Sequence, residues 1–308
     1  MKIDLGCGAA KAKGNIGVDI VPLEGVDVIA SLMERPYPFA ANSFDVIYLN
    51  NMIEHLPDTV GTMEELHRIG RPDCRIYISV VNWNSHYAAM DPQHVRLFTE
   101  NSFDFFGKRA GRSYYTKARF DVVRVEHLYD NLARRFLRSK RLMKFLSFYL
   151  SNILQGLNFE LRAVKNVPAE PKVSESNDVF TVLRCPHCLA RKSPKPVEDP
   201  GRLLLVQNSW LVCQDQDCAR KYPVYDGLPV MLREEAEKWI NVDVQTLRLP
   251  PPGEFERIPV EFSDTSDDTN LTELERMGRD WVLKKHHVVI ILFLIGIVIG
   301  YLIAQLRA

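Results

Sequence analysis

The first twenty residues, MKIDLGCGAAKAKGNIGVDI (1–20), decide how the rest of the chain reads. An apolar run from Ile3 to Leu5 passes without a break into Gly6-Cys7-Gly8, and a second run from Asn15 to Val18 ends on Asp19. The pattern predicts a strand, a glycine turn, a short crossover, and a second strand with a carboxylate at its C-terminal tip. Glycines at such a turn let the main chain pass close to a ligand, and an acid at the next strand tip can take both hydroxyls of a ribose. The third glycine of the dinucleotide pattern G-x-G-x-x-G is missing, because Ala9, Ala10 and Lys11 follow Gly8.

Outward from this stretch, Val26 to Ala30 reads as a short buried strand and Phe44 to Leu49 as another, with Asn50 opening the turn into a helix. Helical spacing at Glu64 to Ile69 stops at Arg71-Pro72-Asp73, and Arg75 to Val81 is strand again. The alternation predicts an α/β fold with a doubly wound, mostly parallel sheet. Phe120 to Glu126 and Phe159 to Val164 alternate like strands and are expected to pair antiparallel at the end of the sheet. Between them, LARRFLRSKRLMKFLSFYLSNIL (132–154) predicts a basic amphipathic helix, the centre of an insertion over 107–157. Such a helix either covers the site as a lid with its basic face in water, or meets an anionic membrane or phosphates.

With these elements placed, the opening resembles motifs I and II of class I S-adenosylmethionine (SAM) methyltransferases. It is most similar to the compact subgroup that opens on LGCG…G-x-x-x-VD. Asn42-Ser43-Phe44-Asp45-Val46-Ile47-Tyr48, Glu54-His55-Leu56, Glu65-Leu66-His67-Arg68-Ile69 and Asp91-Pro92-Gln93-His94-Val95-Arg96-Leu97-Phe98-Thr99 resemble further motifs of that subgroup in the right order, over about residues 1–106. The resemblance implies that the main chain at Gly6 and Gly8 approaches the methionine moiety, that Asp4 orients its amino end, and that Asp19 takes the ribose. Asn50 or Asn51 would line the adenine or methyl-donor edge. The chain departs from the subgroup in having Ser31 where an acid holds the adenine amino group, Arg71-Pro72-Asp73-Cys74 in place of KPGG, and Asn51 where His is common. The acceptor side carries no N-P-P-Y and no cysteine pair for cytosine chemistry. Glu54, His55 and His94 are the candidate bases, although Glu54 and His55 better suit capping and packing the helix after the fourth strand.

The 308 residues are 46% hydrophobic and 25% charged with zero net charge, ordinary for a globular protein of about two domains. The zero hides twelve Lys and Arg against three acids from Gly107 to Leu150, and nine acids against three bases from Glu254 to Asp280. No charged n-region or apolar h-region precedes the first strand, so no secretory signal is expected. Cys185-Pro186-His187-Cys188 and Cys213 to Cys218 form C-x2-C and C-x4-C separated by twenty-four residues, spacing that suits one tetrahedral zinc ion on two knuckles. His187 is expected to be a bystander. Together with Tyr222-Pro223-Val224-Tyr225-Asp226-Gly227-Leu228-Pro229-Val230-Met231-Leu232, the knuckles resemble the zinc-ribbon family that activates methyltransferases of tRNA, rRNA and release factors. That resemblance implies an activator fused in cis, docking on an exposed sheet edge.

Residues 166–180 read as a polar linker, 181–236 as the ribbon, and 237–283 as an acidic flexible tether. Val288 to Ala304 is seventeen residues without a charge, about 25 Å as a helix, which predicts a single membrane-spanning helix over 284–305. Lys284 and Lys285 precede the uncharged run, so the remainder is expected in the cytoplasm. Gly296 and Gly300 offer a G-x-x-x-G for a homodimer. The expected organisation is a methyltransferase-like domain over 1–165, the ribbon, and the anchor. The expected function is membrane-anchored methyl transfer to a lipid-linked saccharide, a lipid or a membrane-proximal protein. A non-catalytic scaffold and an RNA or translation-factor methyltransferase are the alternatives, nucleic acid being the less favoured partner.

Overall fold

The computed structural model describes residues 1–107, 115–136, 139–165, 178–191, 199–252 and 257. Strands β1 (Lys2–Leu5), β2 (Ile16–Asp19), β3 (Val28–Ile29), β4 (Phe44–Asn50), β5 (Gly70–Val81), β6 (Phe120–Tyr129) and β7 (Leu154–Ala163) make one sheet in the order β3-β2-β1-β4-β5-β7-β6. β1 to β5 pair in parallel, while β7 runs antiparallel to β5 and β6 antiparallel to β7. Both faces of the central strands are covered. Ile3, Leu5, Val18, Ile47, Leu49 and Ile76 are therefore buried, and the strands read as apolar runs rather than alternating ones.

Helix α1 (Thr59–Ile69) crosses from β4 to β5 and buries Met63, Leu66 and Ile69. It begins five residues before the periodicity at Glu64, because Asp58 accepts from the Gly61 N–H at 2.9 Å and caps an earlier first turn. The strand order reverses between β1 and β4, as a doubly wound sheet requires, but the crossovers before β2, β3 and β4 contain no helix. The first is only ten residues long (6–15), too short to hold a helix and still return in parallel. The turn expected at Arg71-Pro72-Asp73 lies inside β5 as a bulge. Phe44 pairs with Gly70 and Val46 with Arg75, and Asp73 takes φ 63°. Cys74 is buried in this strand.

After β5 come a short helix α2 (Tyr87–Met90) and then β6. The expected basic helix is two helices, α3 (Asn131–Phe136) and α4 (Lys140–Tyr149). Ser139 separates them with an extended backbone and caps α4 by accepting from the Leu142 N–H. α4 buries Met143 but leaves Phe145, Phe148 and Tyr149 exposed.

The second sheet contains β8 (Leu203–Val206), β9 (Trp210–Cys213), β10 (Lys221–Tyr225) and β11 (Leu228–Pro229), all antiparallel. Helix α5 (Pro186–Ala190) precedes it and α6 (Arg233–Lys238) follows. Asp226 and Gly227, at φ 48° and 79°, make the two-residue hairpin turn that needs left-handed backbone at both positions. The tether does not begin at 237. Trp210 packs edge-on against Trp239 at 5.0 Å and donates its indole N–H to the Arg248 carbonyl, while the Tyr225 hydroxyl donates to that of Pro252. These contacts hold the chain onto this sheet through residue 252.

The two sheets meet edge to edge. Ile29 of β3 bridges Val230 in parallel, and the Met231 N–H donates to the Ile29 carbonyl at 2.8 Å. On the other side of the joint Phe39 bridges Leu183, with the Ala40 N–H donating to Val182 and the Arg184 N–H to Pro38. Arg233 pairs with Glu34 across the same seam. Edge strand β3 thus has the Ile29 carbonyl satisfied by the second sheet.

Residues 260–308 form a separate unit that lies outside the described residues, as do residues 166–177 of the expected linker. The apolar run 288–304, Gly296 and Gly300 fall there. Among the described residues no helix is long and apolar enough to cross a membrane.

Candidate functional site

The chain folds back over β2 immediately after β1, with the N–H groups of Gly6 and Cys7 both donating to the Val18 carbonyl. Gly6 has φ +69°, and a Cβ there would stand 2.5 Å from the Met52 side chain, so only glycine lets Met52 close over the turn. Gly8, at φ +52°, has nothing within 4 Å of its missing Cβ and leaves the turn open. Asp19 stands at the tip of β2 as expected, but it also braces this turn: Oδ2 accepts from the Gly8 N–H at 2.9 Å and Oδ1 from the Val21 N–H at 3.0 Å.

Asp4 is buried under the turn, and its Oδ1 has no hydrogen-bond partner among the described residues. Burial raises its pKa, partly offset by the Ala12 backbone and Lys11. Burial also pushes the Cys7 thiol up to about 12, reinforced by Asp4 and Asp19, so this cysteine is a packing residue and not a thiolate nucleophile.

Asn50 ends β4 and Asn51 follows it, both exposed, Asn51 at φ 46° with its N–H donating to the Ser79 carbonyl. Ser31 lies just past β3, its hydroxyl accepting from the Met33 N–H, in a groove that also touches Glu34, Pro186, Met231 and Arg233 of the seam.

Three features here escaped the sequence reading. Asp27 accepts from both the Gly17 N–H and the Lys11 ammonium at 2.7 Å, tying the helix-free crossover down. Ile20 and Met33 expose more than half their surface beside Asp19 and Ser31. Ile20 was legible as an apolar residue directly after the strand-tip acid; the Lys11–Asp27 pair had no local signal.

On the other side of β4, Glu54 and His55 form a single 3-10 turn (Ile53–His55) rather than capping α1, which Asp58 does. The Glu54 carbonyl accepts from the N–H groups of Val95 and Arg96, at 3.0 and 3.1 Å. Arg96 also reaches the Pro57 carbonyl. These bonds draw the 91–97 loop onto the turn and set the His94 ring 4.7 Å from that of His55, centroid to centroid. All three candidate bases are therefore brought together. Glu54 is 2% exposed, accepts from the Val81 N–H at 3.4 Å, and its Oε2 has no partner among the described residues. Burial raises its pKa, opposed by backbone N–H groups and by the two imidazoles.

In and beside the second sheet, Cys185, Cys188, Cys213 and Cys218 are all buried with their sulfurs within 4.8 Å of one another. Cys185 and Cys218 stand 3.6 Å apart, as do Cys188 and Cys213. His187, on α5 between the first two, is outside this group.

Residues 3–78, which carry β1 to β4, α1 and most of β5, match the family model described as "Methyltransferase domain". Over that stretch the chain is similar to a methyltransferase domain. Similar solved structures include the YcgJ protein of Bacillus subtilis, at 15% identity over 54% of this chain and 92% of that one, with a TM-score of 0.35. A SAM-dependent methyltransferase from Archaeoglobus fulgidus is 20% identical over 52% of this chain and 85% of that one, TM-score 0.39. A chain from the Haloferax volcanii complex of the Trm112 methyltransferase activator with a methyltransferase is 16% identical over 53% and 82%, TM-score 0.36. No curated protein matches the chain in sequence.

Proposed function

We propose that the methyltransferase domain acts on an acceptor presented at a membrane, with the ribbon as a built-in brace for its cofactor loop. One observation carries this reading. Cys7 of the glycine turn, Val26 and Ile29 share a small apolar core with Leu228 and Val230 of the ribbon. The loop that would face SAM is therefore packed directly against the second domain.

The residues present fit the cofactor. Asp4, with a buried oxygen that lacks a partner among the described residues, suits the amino group of the methionine end. The open space at Gly8 suits the close approach of the main chain, and the remaining lone pairs of Asp19 suit the ribose hydroxyls. Ile20 and Met33 offer apolar faces for the adenine, with Ser31, Asn50 and Asn51 at its polar edge. Bound SAM supplies an electrophilic methyl group; the chain's own task is to align the acceptor and exclude water.

The four cysteines fit one Zn²⁺. Tetrahedral coordination with Zn–S bonds of about 2.3 Å sets sulfurs about 3.8 Å apart, against the 3.6 Å of two pairs here.

Membrane presentation rests on the apolar run 288–304 and on the exposed apolar side chains flanking the acceptor side. Met90 and Leu97 are 62% and 65% exposed, and Phe148 of α4 is 73% exposed. A lipid, a lipid-linked saccharide or a membrane-proximal protein fits such a surface. The test is methyl-tritium transfer from SAM by the full chain to fractionated membranes, RNA and soluble protein. Label entering the membrane fraction supports the reading, and label confined to RNA overturns it. Calorimetry showing no SAM binding would overturn the catalytic reading and leave a scaffold.

A further inference from the structure

We propose that His55, Asp91 and His94 bind one divalent transition-metal ion on the acceptor side of the cleft. One donor atom from each lies within 4.8 Å of the other two, and all three side chains are half-buried. The donors converge without bonding one another: no hydrogen bond or ion pair joins Asp91 to either imidazole among the described residues.

Each group is oriented from behind. His94 Nδ1 lies 3.2 Å from the Ala88 carbonyl, so its N–H donates there and Nε2 is left as the free lone pair. This is the arrangement that fixes the tautomer of a ligating histidine. Asp91 Oδ1 accepts from the Gln93 N–H at 2.8 Å, which leaves Oδ2. Among the described residues, His55 Nδ1 is buried without a partner, and so is Oε2 of the adjacent Glu54. Two buried polar atoms without partners in one short turn are costly unless something not written in the chain satisfies them.

The donor set selects the ion. Two imidazoles and one carboxylate suit zinc, manganese, iron(II), cobalt or nickel; magnesium and calcium want oxygen on nearly every position. Three protein ligands leave positions open. They are set on the 3-10 turn after β4 and the loop after α2, where the exposed Met90 and Leu97 rim the surface. An acceptor with hydroxyl, carboxylate or phosphate oxygens could complete the coordination; that part of the inference rests on the methyltransferase reading.

The test uses the full chain dialysed against Zn²⁺ and then analysed for metal content. Two zinc ions per chain are expected in the wild type, one on the thiolates and one here, falling to one in His94→Ala and in Asp91→Ala. Mn²⁺, which thiolates do not favour, provides the second probe: the paramagnetic resonance signal of free Mn²⁺ should decrease on adding zinc-loaded protein in which this site has been left vacant by limiting zinc. Either variant should weaken that uptake by about 10-fold or more. One zinc per chain together with no Mn²⁺ uptake overturns the proposal, as does an unchanged stoichiometry in Asp91→Ala. SAM calorimetry on the same samples separates the two readings: metal uptake without SAM binding sinks the methyltransferase reading and leaves the metal site standing, and SAM binding without metal uptake does the reverse.

Discussion

Replacing Val230 with alanine tests whether the ribbon braces the cofactor loop. Val230 is fully buried and bridges Ile29, sharing a core with Cys7 and Val26. The change removes two methyl groups, worth about 0.8 kcal/mol each by transfer, and the cavity left behind raises the total to about 2–3 kcal/mol. If the glycine turn depends on that core, part of the loss should appear in cofactor affinity, about 1 kcal/mol or fivefold in SAM Kd. Val224, on β10 and also buried, provides the control. Val224→Ala should destabilise the ribbon comparably and leave SAM affinity alone. Urea unfolding measures the first quantity and titration calorimetry the second. If Val230→Ala is destabilised as expected yet binds SAM within about twofold of wild type, the seam holds the domains together without supporting the loop, and the brace is wrong.

Asp19→Ala removes both the acceptor of the Gly8 N–H and the expected ribose ligand, so SAM affinity should fall by about 1.5–3 kcal/mol in calorimetry, and Asp19→Asn, which keeps one oxygen, should lose less. Stripping the metal with a chelator should unfold the ribbon, read from the fluorescence of buried Trp210, because the four sulfurs supply much of its folding energy; a metal-free protein with an unchanged cooperative melt would refute this. Asp58→Ala should cost about 1 kcal/mol by removing the α1 cap. The Gly61 N–H, and beyond it Arg35, hold the Asp58 pKa below its usual value. Its contribution is therefore complete above the unfolded carboxylate pKa and is lost as pH falls through the depressed folded one. The wild-type advantage over Asp58→Ala should shrink on acidification in denaturant melts; an advantage that grows would refute the assignment.

The elements legible in the sequence were those whose cause is local. Ile3 to Leu5, Phe44 to Leu49 and Arg75 to Val81 announce buried strands because both sheet faces are covered, and each is strand in the structure. The glycine turn and Asp19 were visible for the same reason: a left-handed backbone calls for glycine at a fixed place in the chain. The spacing of the four cysteines marked them as one group before any contact was known, and their sulfurs lie within 4.8 Å of one another. Element boundaries followed less well, since a cap such as Asp58 or Ser139 decides where a helix starts with one hydrogen bond that periodicity does not register.

What the tertiary structure decided is everything that depends on chain segments meeting. Glu54 reads as a capping residue until its carbonyl is seen holding the 91–97 loop, which sets His94 and Asp91 beside His55. Lys11 and Asp27 are unremarkable charges until the short crossover brings them to 2.7 Å. The tether appeared to start at 237 because its composition is polar, yet Trp239 is fixed by Trp210, nearly thirty residues away in sequence. The sequence marks β3 as a strand but not which side of it stays unpaired; that side becomes known only when Val230 and Met231 satisfy Ile29. A residue's conformation is largely set by its neighbours in the chain, whereas the partners of a main-chain edge, a buried carboxylate or an imidazole are set by packing, and packing is a property of the folded whole.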